Sequence, residues 1–250
     1  MSQLSILQKM LKQSKVIGFD LDDTLWDNKP VIKRAISEQF DFLQLHLPKL
    51  SRDSIEQAYA TEVKRAMARF QACDDEVSCH DMSLLRQHAL TSLCENNKLD
   101  KAIAQQSYDV FYKARQQFTP FEKTESLLKL LAKDYQLVAI SNGNASLAHS
   151  ELSDYFLFHW RAGVNGKAKP DPDMLIKAMT KCQVSSDEFI YVGDSLDIDG
   201  AAAQRANSFC WLLGDFIKEQ HQSLTQQLSE RQLVFGSIAE LLSAIEAIPN

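Results

Sequence analysis

Long apolar runs are missing from this 250-residue chain. No stretch approaches the ~18 uninterrupted apolar residues that a membrane-spanning helix needs. Residues 4–9 are too short and too polar a run to serve as the apolar region of a secretory signal peptide. We therefore expect a cytoplasmic protein that has no membrane partner.

Paired cysteines and an excess of basic charge are missing as well. The five cysteines contain no CxxC motif and no matched spacing, so neither a disulfide framework nor a zinc site is predicted. Lysine and arginine number 27 against 33 aspartate and glutamate residues, which gives a net charge of −6. Because a nucleic-acid-binding surface needs a basic stripe for the phosphates, this balance argues against a nucleic-acid partner.

Glycine is scarce in one part of the chain: none of the eight glycines lies between residues 28 and 118. Apolar residues in that segment recur at helical spacing, which predicts an all-helical insert. Elsewhere helical and strand patterns alternate, which is typical of an α/β fold with a parallel sheet and crossover helices. The sequence therefore predicts a core formed by 1–27 and 119–250, and a helical domain formed by 28–118. The helices predicted in the insert cover residues 30–47, 53–71, 80–94 and 101–117.

Two aspartates follow an apolar run at 15–19 that is typical of a buried strand. Side chains alternate faces in extended backbone, so Asp20 and Asp22 can point into the same cleft just past the strand. A nucleophile and a proton donor need that spacing. A polar turn or a helix N-cap is the commoner use of such a pair. A calcium loop does not fit, because Leu25 and Val31 occupy the positions that need Gly and Glu.

Three further polar segments follow predicted strands later in the chain. The first carries a hydroxyl and amides that could hold a phosphoryl oxygen where the chain turns toward a helix. The second carries a lysine before a proline-fixed turn, and the third carries acidic residues. Taken singly, they would be a helix cap, a surface lysine and an ordinary turn. Their residues are Ser141 and Asn142 after 136–140, Lys169 before Pro170, and Gly193, Asp194 and Asp199 after 189–192.

Taken together with the aspartate pair, these segments predict one site. Ligands of open α/β sheets bind outside the carboxyl ends of the strands, where this chain places carboxylates, a hydroxyl and a lysine. The motifs resemble those of the haloacid dehalogenase (HAD) superfamily, whose pattern is DxDxT, then Ser or Thr, then Lys, then a GD-type acidic motif. The matching residues are Asp20, Asp22, Thr24, Ser141, Lys169, Gly193, Asp194 and Asp199.

The resemblance implies a fold and an activity. The fold would be a Rossmann-like HAD core with a parallel sheet between helices, and residues 28–118 would form the helical lid called a C1 cap. The activity would be hydrolysis of a small-molecule phosphate ester through an aspartyl-phosphate. Asp20 would be the nucleophile, and Asp22 would protonate the leaving oxygen and later accept a proton from water.

The resemblance also implies roles for the other matching residues. Ser141, Asn142 and Lys169 would hold the phosphate, and Lys169 would also neutralise the transferring group. Asp199 would act through water or orient a neighbour. Thr24 would support the loop.

Magnesium is the cofactor that the resemblance implies. Ionised carboxylates that face a phosphate dianion repel it at short range unless cations intervene. Mg²⁺ would be held by the carboxylates of Asp20 and Asp194 and by the backbone carbonyl of Asp22, which are hard oxygen ligands.

Several alternatives stay open or are disfavoured at this level. The motifs do not separate a specific phosphatase from a phosphomutase or from a broad nucleotide or sugar-phosphate phosphatase. A non-catalytic phosphate-binding module is disfavoured, because it would not need the acid Asp22 beside Asp20. Dehalogenases of the superfamily lack that acid and need no magnesium, and P-type ATPases need transmembrane segments. The oligomeric state is left open.

A closer likeness narrows the substrate. Residues 19–32, 137–145 and 154–163 resemble bacterial flavin-pathway phosphatases. This likeness implies flavin mononucleotide (FMN), the riboflavin precursor 5-amino-6-(5-phospho-D-ribitylamino)uracil, or both as substrates, and a role in riboflavin biosynthesis. Aromatic residues could stack on such a ring, although packing between helices is their commoner use at helical spacing. The candidates are Trp26, Tyr59, Phe70, Phe111 and Tyr112.

Overall fold

A computed structural model describes residues 2–72, 77–148, 150–214 and 230–249. The chain divides into two compact units, Met1–Asp27 with Thr119–Asn250 and Asn28–Phe118. The polar residues 218–231, for which the sequence predicts a surface helix or a loop, lie outside the described part up to residue 229. Within the described part, no helix has the length and apolar character required to cross a membrane.

The first unit is built around a six-stranded parallel sheet, which confirms the predicted α/β fold. The strands are β1 Val16–Phe19, β2 Gln136–Ser141, β3 Phe156–Arg161, β4 Phe189–Gly193, β5 Phe209–Leu213 and β6 Gln232–Phe235. Their order in the sheet is β3-β2-β1-β4-β5-β6, so the direction of winding reverses at β1. In such sheets the ligand binds at the carboxyl ends of the strands beside this reversal.

Helices cover the sheet and bury it. All residues of β1 and β4 are buried. Strands that are covered on both faces have continuous apolar sequences, so these two strands were predictable from the sequence. Met174 and Leu175 belong to the core that includes Val138 and Tyr191. The helices of this unit, numbered in chain order, are α1 Gln3–Gln13, α6 Thr124–Leu131, α7 Asp173–Cys182, α8 Ala201–Arg205 and α9 Ile238–Glu246.

The second unit is all helical in its described residues. Its core includes Phe40, Leu43, Leu90 and Tyr108. Arg86 is part of the packing, since its guanidinium lies 3.6 Å from the centroid of the Phe111 ring. The helices are α2 Asn28–His46, α3 Arg52–Ala72, α4 Met82–Asn96 and α5 Lys101–Arg115.

The helix boundaries differ from the predicted ones by a few residues, as local capping dictates. Helix α4 begins at Met82 rather than at residue 80, because the Asp81 carboxylate accepts hydrogen bonds from the backbone N–H groups of Ser83 and Leu84. A short 3₁₀ helix, Ser78–His80, precedes this cap. Sequence periodicity locates the buried face of a helix, whereas the cap decides where the helix starts.

Two aromatic residues that could have stacked on a substrate ring are used for packing. Trp26 and Phe111 are fully buried. The indole N–H of Trp26 donates a hydrogen bond to Asp22 Oδ1 at 2.9 Å, so this ring also orients a predicted site residue.

Candidate active site

The carboxyl ends of β1, β2 and β4 carry the predicted site residues. The Asp20 N–H donates to the Val192 carbonyl at 2.8 Å, which continues the ladder between β1 and β4 by one residue. Asp20 therefore leaves the sheet at a fixed point and is buried. Ser141 is the last residue of β2, and Asp194 follows β4 directly. Parallel register alone brings these three residues to one edge of the sheet.

Lys169 is a buried cation at the centre of the site, although it enters from the loop after β3. Its Nζ lies 2.5 Å from Asp20 Oδ1, 2.8 Å from Asp199 Oδ1 and 2.6 Å from the Tyr191 hydroxyl. An ammonium has three donors, so these three acceptors use all of them. Burial disfavours the charged form, but Asp199 and Asp20 outweigh it and raise the pKa of Lys169 well above its usual value.

The Asn142 side chain holds the backbone of Lys169. Asn142 Oδ1 accepts from the Lys169 N–H at 2.9 Å, and Asn142 Nδ2 donates to the Lys169 carbonyl at 2.8 Å. This pair of hydrogen bonds fixes the lysine loop against the end of β2. The Asn142 side-chain amide therefore positions Lys169, which leaves the backbone N–H of Asn142 as its group for a phosphate oxygen.

Ser141 is buried, and its Oγ accepts a hydrogen bond from the Gly143 N–H at 3.0 Å. This contact shapes the turn after β2. Residues 142–148 are not helical, so Ser141 caps no helix and that interpretation of it is wrong. A hydroxyl that accepts one hydrogen bond still has its own proton to donate. Ser141 can therefore shape the turn and hold a phosphoryl oxygen.

An acidic cluster lies beside Lys169. Carboxylate oxygens of Asp20, Asp194 and Asp199 lie within 4.8 Å of one another. Thr24 Oγ1 lies 3.4 Å from Asp20 Oδ2 and 3.2 Å from Asp194 Oδ1, so its hydroxyl bridges two of them. The Thr24 hydroxyl thereby links the loop after β1 to the end of β4.

The cluster carries more negative charge than its single lysine compensates. Burial raises the pKa of Asp20 to about 8, with Lys169 opposing the shift and Asp199 adding to it. Burial also raises the pKa of Asp194 to about 6, and Asp199 adds to that shift as well. Buried oxygen ligands short of positive charge are the surroundings that a hard divalent cation prefers.

Asp199 is held from both of its oxygens. Oδ1 accepts from Lys169, and Oδ2 accepts from the Ser195 N–H at 3.0 Å. Gly193 makes room for this carboxylate, because a Cβ at that position would lie 2.3 Å from Asp199 Cγ. The glycine of the GD motif is therefore required by close approach.

Two contacts at the site could not be found in the sequence. Tyr191 reads as a core residue of a buried strand, and Trp26 reads as a packing aromatic. In the structure, the Tyr191 hydroxyl accepts a hydrogen bond from Lys169, and the Trp26 indole N–H donates one to Asp22. Once burial is known, these contacts can be expected: both rings are fully buried, and a buried tyrosine or tryptophan usually has a hydrogen-bond partner.

Comparisons with known proteins identify the family and two similar phosphatases. Residues 14–207 match the family described as haloacid dehalogenase-like hydrolase. The 5-amino-6-(5-phospho-D-ribitylamino)uracil phosphatase YigB of Escherichia coli (strain K12) is 32% identical over 247 residues, covering 95% of this chain and 98% of that protein. A phosphoglycolate phosphatase of Pseudomonas syringae pv. tomato (strain ATCC BAA-871 / DC3000) is 27% identical over 209 residues, covering 80% of this chain and 69% of that protein.

Solved structures share the fold. A 2-haloacid dehalogenase from Pseudomonas syringae pv. tomato DC3000 superposes with a TM-score of 0.75 at 27% identity, covering 93% of this chain and 98% of that one. An L-2-haloacid dehalogenase from Xanthobacter autotrophicus superposes with a TM-score of 0.58 at 17% identity, covering 94% of this chain and 100% of that one. The second likeness concerns the fold alone.

Proposed function

Because this chain belongs to the haloacid dehalogenase-like hydrolase family and is a phosphatase, we propose that it hydrolyses phosphomonoesters with Mg²⁺ through an aspartyl-phosphate. The observation that carries the proposal is the contact of Lys169 Nζ with Asp20 Oδ1 at 2.5 Å, beside a cluster of two further carboxylates. A buried carboxylate that is paired with a lysine and open to a cation is suited to attack phosphorus.

In the first step, Asp20 forms a bond to phosphorus while the bond to the leaving oxygen breaks. Asp22 gives its proton to that oxygen, so the product leaves as an alcohol. Asp22 then takes a proton from a water molecule, whose oxygen attacks phosphorus. The bond from phosphorus to Asp20 breaks, and inorganic phosphate leaves. Splitting the displacement in this way lowers the barrier of each half.

Lys169, Ser141 and the backbone N–H of Asn142 hold the oxygens of the transferring group. Lys169 does so mainly as a point charge, since its three donors already face Asp20, Tyr191 and Asp199. Charge placed in advance in a buried site needs no reorganisation during the reaction.

Magnesium fits the donors that are present. The carboxylates of Asp20 and Asp194 and the backbone carbonyl of Asp22 would hold it. Burial, with Asp199 adding to it, raises the pKa of both carboxyls. When bound, the ion supplies positive charge that offsets repulsion between the carboxylates and the phosphate. Asp199 orients Lys169, because its oxygens already accept from Lys169 and Ser195.

Asp22 favours ester cleavage over dehalogenation on chemical grounds. A halide leaves as a stable anion and needs no proton, whereas an alkoxide leaving group does. The hydrogen bond from Trp26 ties the Asp22 side chain to its own loop and fixes its orientation. The likeness to a 2-haloacid dehalogenase therefore supports the fold but not the leaving group.

The proposed substrate is supported by the likeness to YigB, which extends over nearly the whole chain. We infer that this protein acts on 5-amino-6-(5-phospho-D-ribitylamino)uracil, FMN or both, and so serves riboflavin biosynthesis. Residues 28–118 act as the cap domain that selects among phosphate esters. A broad nucleotide or sugar-phosphate phosphatase and a phosphomutase are the competing functions.

A substrate panel tests this proposal. Phosphate release is measured with FMN, the riboflavin precursor, nucleoside monophosphates, sugar phosphates and phosphoglycolate, with Mg²⁺ and with EDTA. We expect release from the two flavin-pathway compounds to exceed the rest by at least about tenfold in kcat/KM, because differential contacts of roughly 1.4 kcal/mol suffice for that ratio. EDTA should abolish it.

Each other result has its own meaning. A flat profile would indicate a broad phosphatase, and isomerised sugar phosphate without release would indicate a mutase. Halide release from a 2-haloacid, without phosphate release from any ester, would overturn the phosphatase. Full activity in EDTA would overturn the magnesium site.

Asp22→Asn separates an enzyme from a binding module. The amide cannot donate an acidic proton, so kcat should fall by roughly 10²- to 10⁴-fold. Binding of inorganic phosphate, measured by calorimetry, should change little because the groups that hold its oxygens are intact. Wild-type turnover in Asp22→Asn would assign the acid to another group. Phosphate binding in a wild-type protein without turnover would favour the binding module.

A further inference from the structure

We propose that Tyr191 is a positioning residue for phosphoryl transfer: its hydroxyl fixes the Lys169 ammonium against the nucleophile Asp20. The inference rests on the proposed function. It goes beyond that function because Tyr191, a buried strand residue, takes part in none of the bond-making steps and yet affects their rate through Lys169.

The Tyr191 hydroxyl is a fixed point in the sheet. It accepts from Lys169 Nζ at 2.6 Å and donates to the Ile140 carbonyl at 2.7 Å. Tyr191 belongs to β4 and Ile140 to β2, and β1 lies between these strands. The side chain therefore reaches across β1 and is held by the sheet backbone on its far side.

Gly18 makes this crossing possible. Gly18 of β1 is paired directly with Tyr191 of β4. A Cβ at Gly18 would lie 3.0 Å from Tyr191 Cδ2 and 2.8 Å from Phe189 Cζ. The Phe189 ring would have to shift, and the Tyr191 ring would have to give by a few tenths of an ångström, so a Cβ at Gly18 would press on both rings. Glycine at position 18 therefore leaves the space that the Tyr191 side chain needs to cross β1.

One face of β4 provides one of the three partners of Lys169 and the space for a second. Phe189, Tyr191 and Gly193 alternate onto the same face of the strand. Tyr191 contributes its hydroxyl, and Gly193 leaves the space that Asp199 occupies. Asp20 completes the set from the end of β1. The position of the ammonium is therefore set by the backbone of the sheet rather than by its own loop alone.

A neutral acceptor suits this position. The hydroxyl satisfies the third N–H of Lys169 without adding negative charge, so the ammonium keeps its charge for the carboxylates and the transferring group. Burial raises the pKa of Tyr191 well above its usual value, which keeps the hydroxyl protonated and able to donate to Ile140. A carboxylate here would neutralise Lys169, and an apolar residue would leave one N–H unpaired.

Tyr191→Phe tests the inference. The phenyl ring keeps the packing and removes only the hydroxyl. We expect kcat to fall about 10- to 100-fold, the range for a lost hydrogen bond to a charged group, with KM within about threefold of wild type. A split of this kind is expected because Lys169 acts on the transferring charge more than on substrate affinity. A merely structural role for Tyr191 would lower the melting temperature without this change in kcat.

Tyr135→Phe is the matched control. The Tyr135 hydroxyl donates to the Leu11 carbonyl at 3.1 Å in the same unit, and it takes no part in the proposed site. This variant loses the same hydroxyl and the same kind of backbone contact, so its kcat should stay within about twofold of wild type. Equal losses of kcat in the two variants would overturn the inference.

Gly18→Ala provides a second and independent route. The added methyl should displace the Tyr191 ring and lower kcat by about the same factor, with no further loss in the double variant Gly18→Ala and Tyr191→Phe, because coupled residues are not additive. Additive losses would count against the inference. Should Tyr191→Phe fail to fold, unchanged kcat in Gly18→Ala would overturn it and a tenfold loss would support it.

NMR of isotope-labelled lysine side chains makes the test independent of turnover. A buried ammonium with three hydrogen-bonded partners should give a slowly exchanging signal in wild type and in Tyr135→Phe. The signal should broaden or disappear in Tyr191→Phe. A wild-type protein that is inactive on all phosphate esters but shows this signal and its loss would refute the proposed function, not the contact. An unchanged signal in Tyr191→Phe would refute the contact.

Discussion

Asp20→Asn is expected to abolish phosphate release, with kcat lower by roughly 10⁴-fold or more, as for the loss of a catalytic nucleophile. The amide keeps the shape of the side chain but cannot form an aspartyl-phosphate. Phosphate release measures the loss, and acid quenching with radiolabelled substrate tests the cause. Wild type should retain label on Asp20 after quenching, whereas the variant should retain none.

The matched control for this change is Asp23→Asn. Asp23 lies in the same loop at a positive φ of 61°, a backbone conformation that asparagine tolerates well. The two variants remove the same charge three residues apart, but only Asp20 contacts Lys169 Nζ. Near-normal release in Asp20→Asn, or a loss as large in Asp23→Asn, would mean that the nucleophile is wrongly assigned.

Lys169→Met is expected to lower both stability and activity. Methionine matches the length of the stem but removes the ammonium, which leaves the carboxylates of Asp20 and Asp199 buried without their cation. Removing one partner of a buried ion pair costs about 3–5 kcal/mol. We also expect kcat to fall by roughly 10³-fold, because the lost charge is aimed at the transferring group. Denaturant unfolding and phosphate release measure the two effects.

Lys177→Met serves as the comparison. Lys177 Nζ lies 2.8 Å from Asp173 Oδ2, but Lys177 is exposed, Asp173 is only half-buried, and the pair follows the i, i+4 spacing of α7. Such pairs contribute about 0.3–0.5 kcal/mol, so this variant should unfold close to wild type and retain activity. If Lys169→Met were as stable as Lys177→Met, the carboxylates around Lys169 would not be held as ions in the folded protein.

Both expected results depend on residues that local patterns identified. Apolar runs that end in Asp20, Ser141 and Asp194 indicated buried strands, and the structure contains those strands in parallel register. Because parallel strands end at one edge of the sheet, their order along the chain was enough to predict that these residues lie near one another. Lys169 was predictable mainly through its motif, since it lies in a loop well beyond the end of the preceding strand β3 at Arg161.

Helix boundaries and the hydrogen-bond partners of side chains were harder to predict from the sequence. The start of α4 depends on the Asp81 cap, and the role of the Asn142 side chain depends on which backbone lies opposite it. A side-chain amide after a strand is equally suited to a phosphate or to a neighbouring loop. The spacing of residues in the sequence identifies the polar group at the site but not the group to which it hydrogen-bonds.

The sequence by itself determined the order of the elements, the parallel sheet, the helical segment 28–118 and the chemistry collected at the strand ends. These follow from periodicity and composition, which act over a few residues at a time. Only the tertiary structure decided that Lys169 meets Tyr191 across the glycine of β1 and that Trp26 donates to Asp22. Those contacts depend on strand register, on the space left by one missing side chain and on the rotamers of buried rings, which a local pattern does not encode.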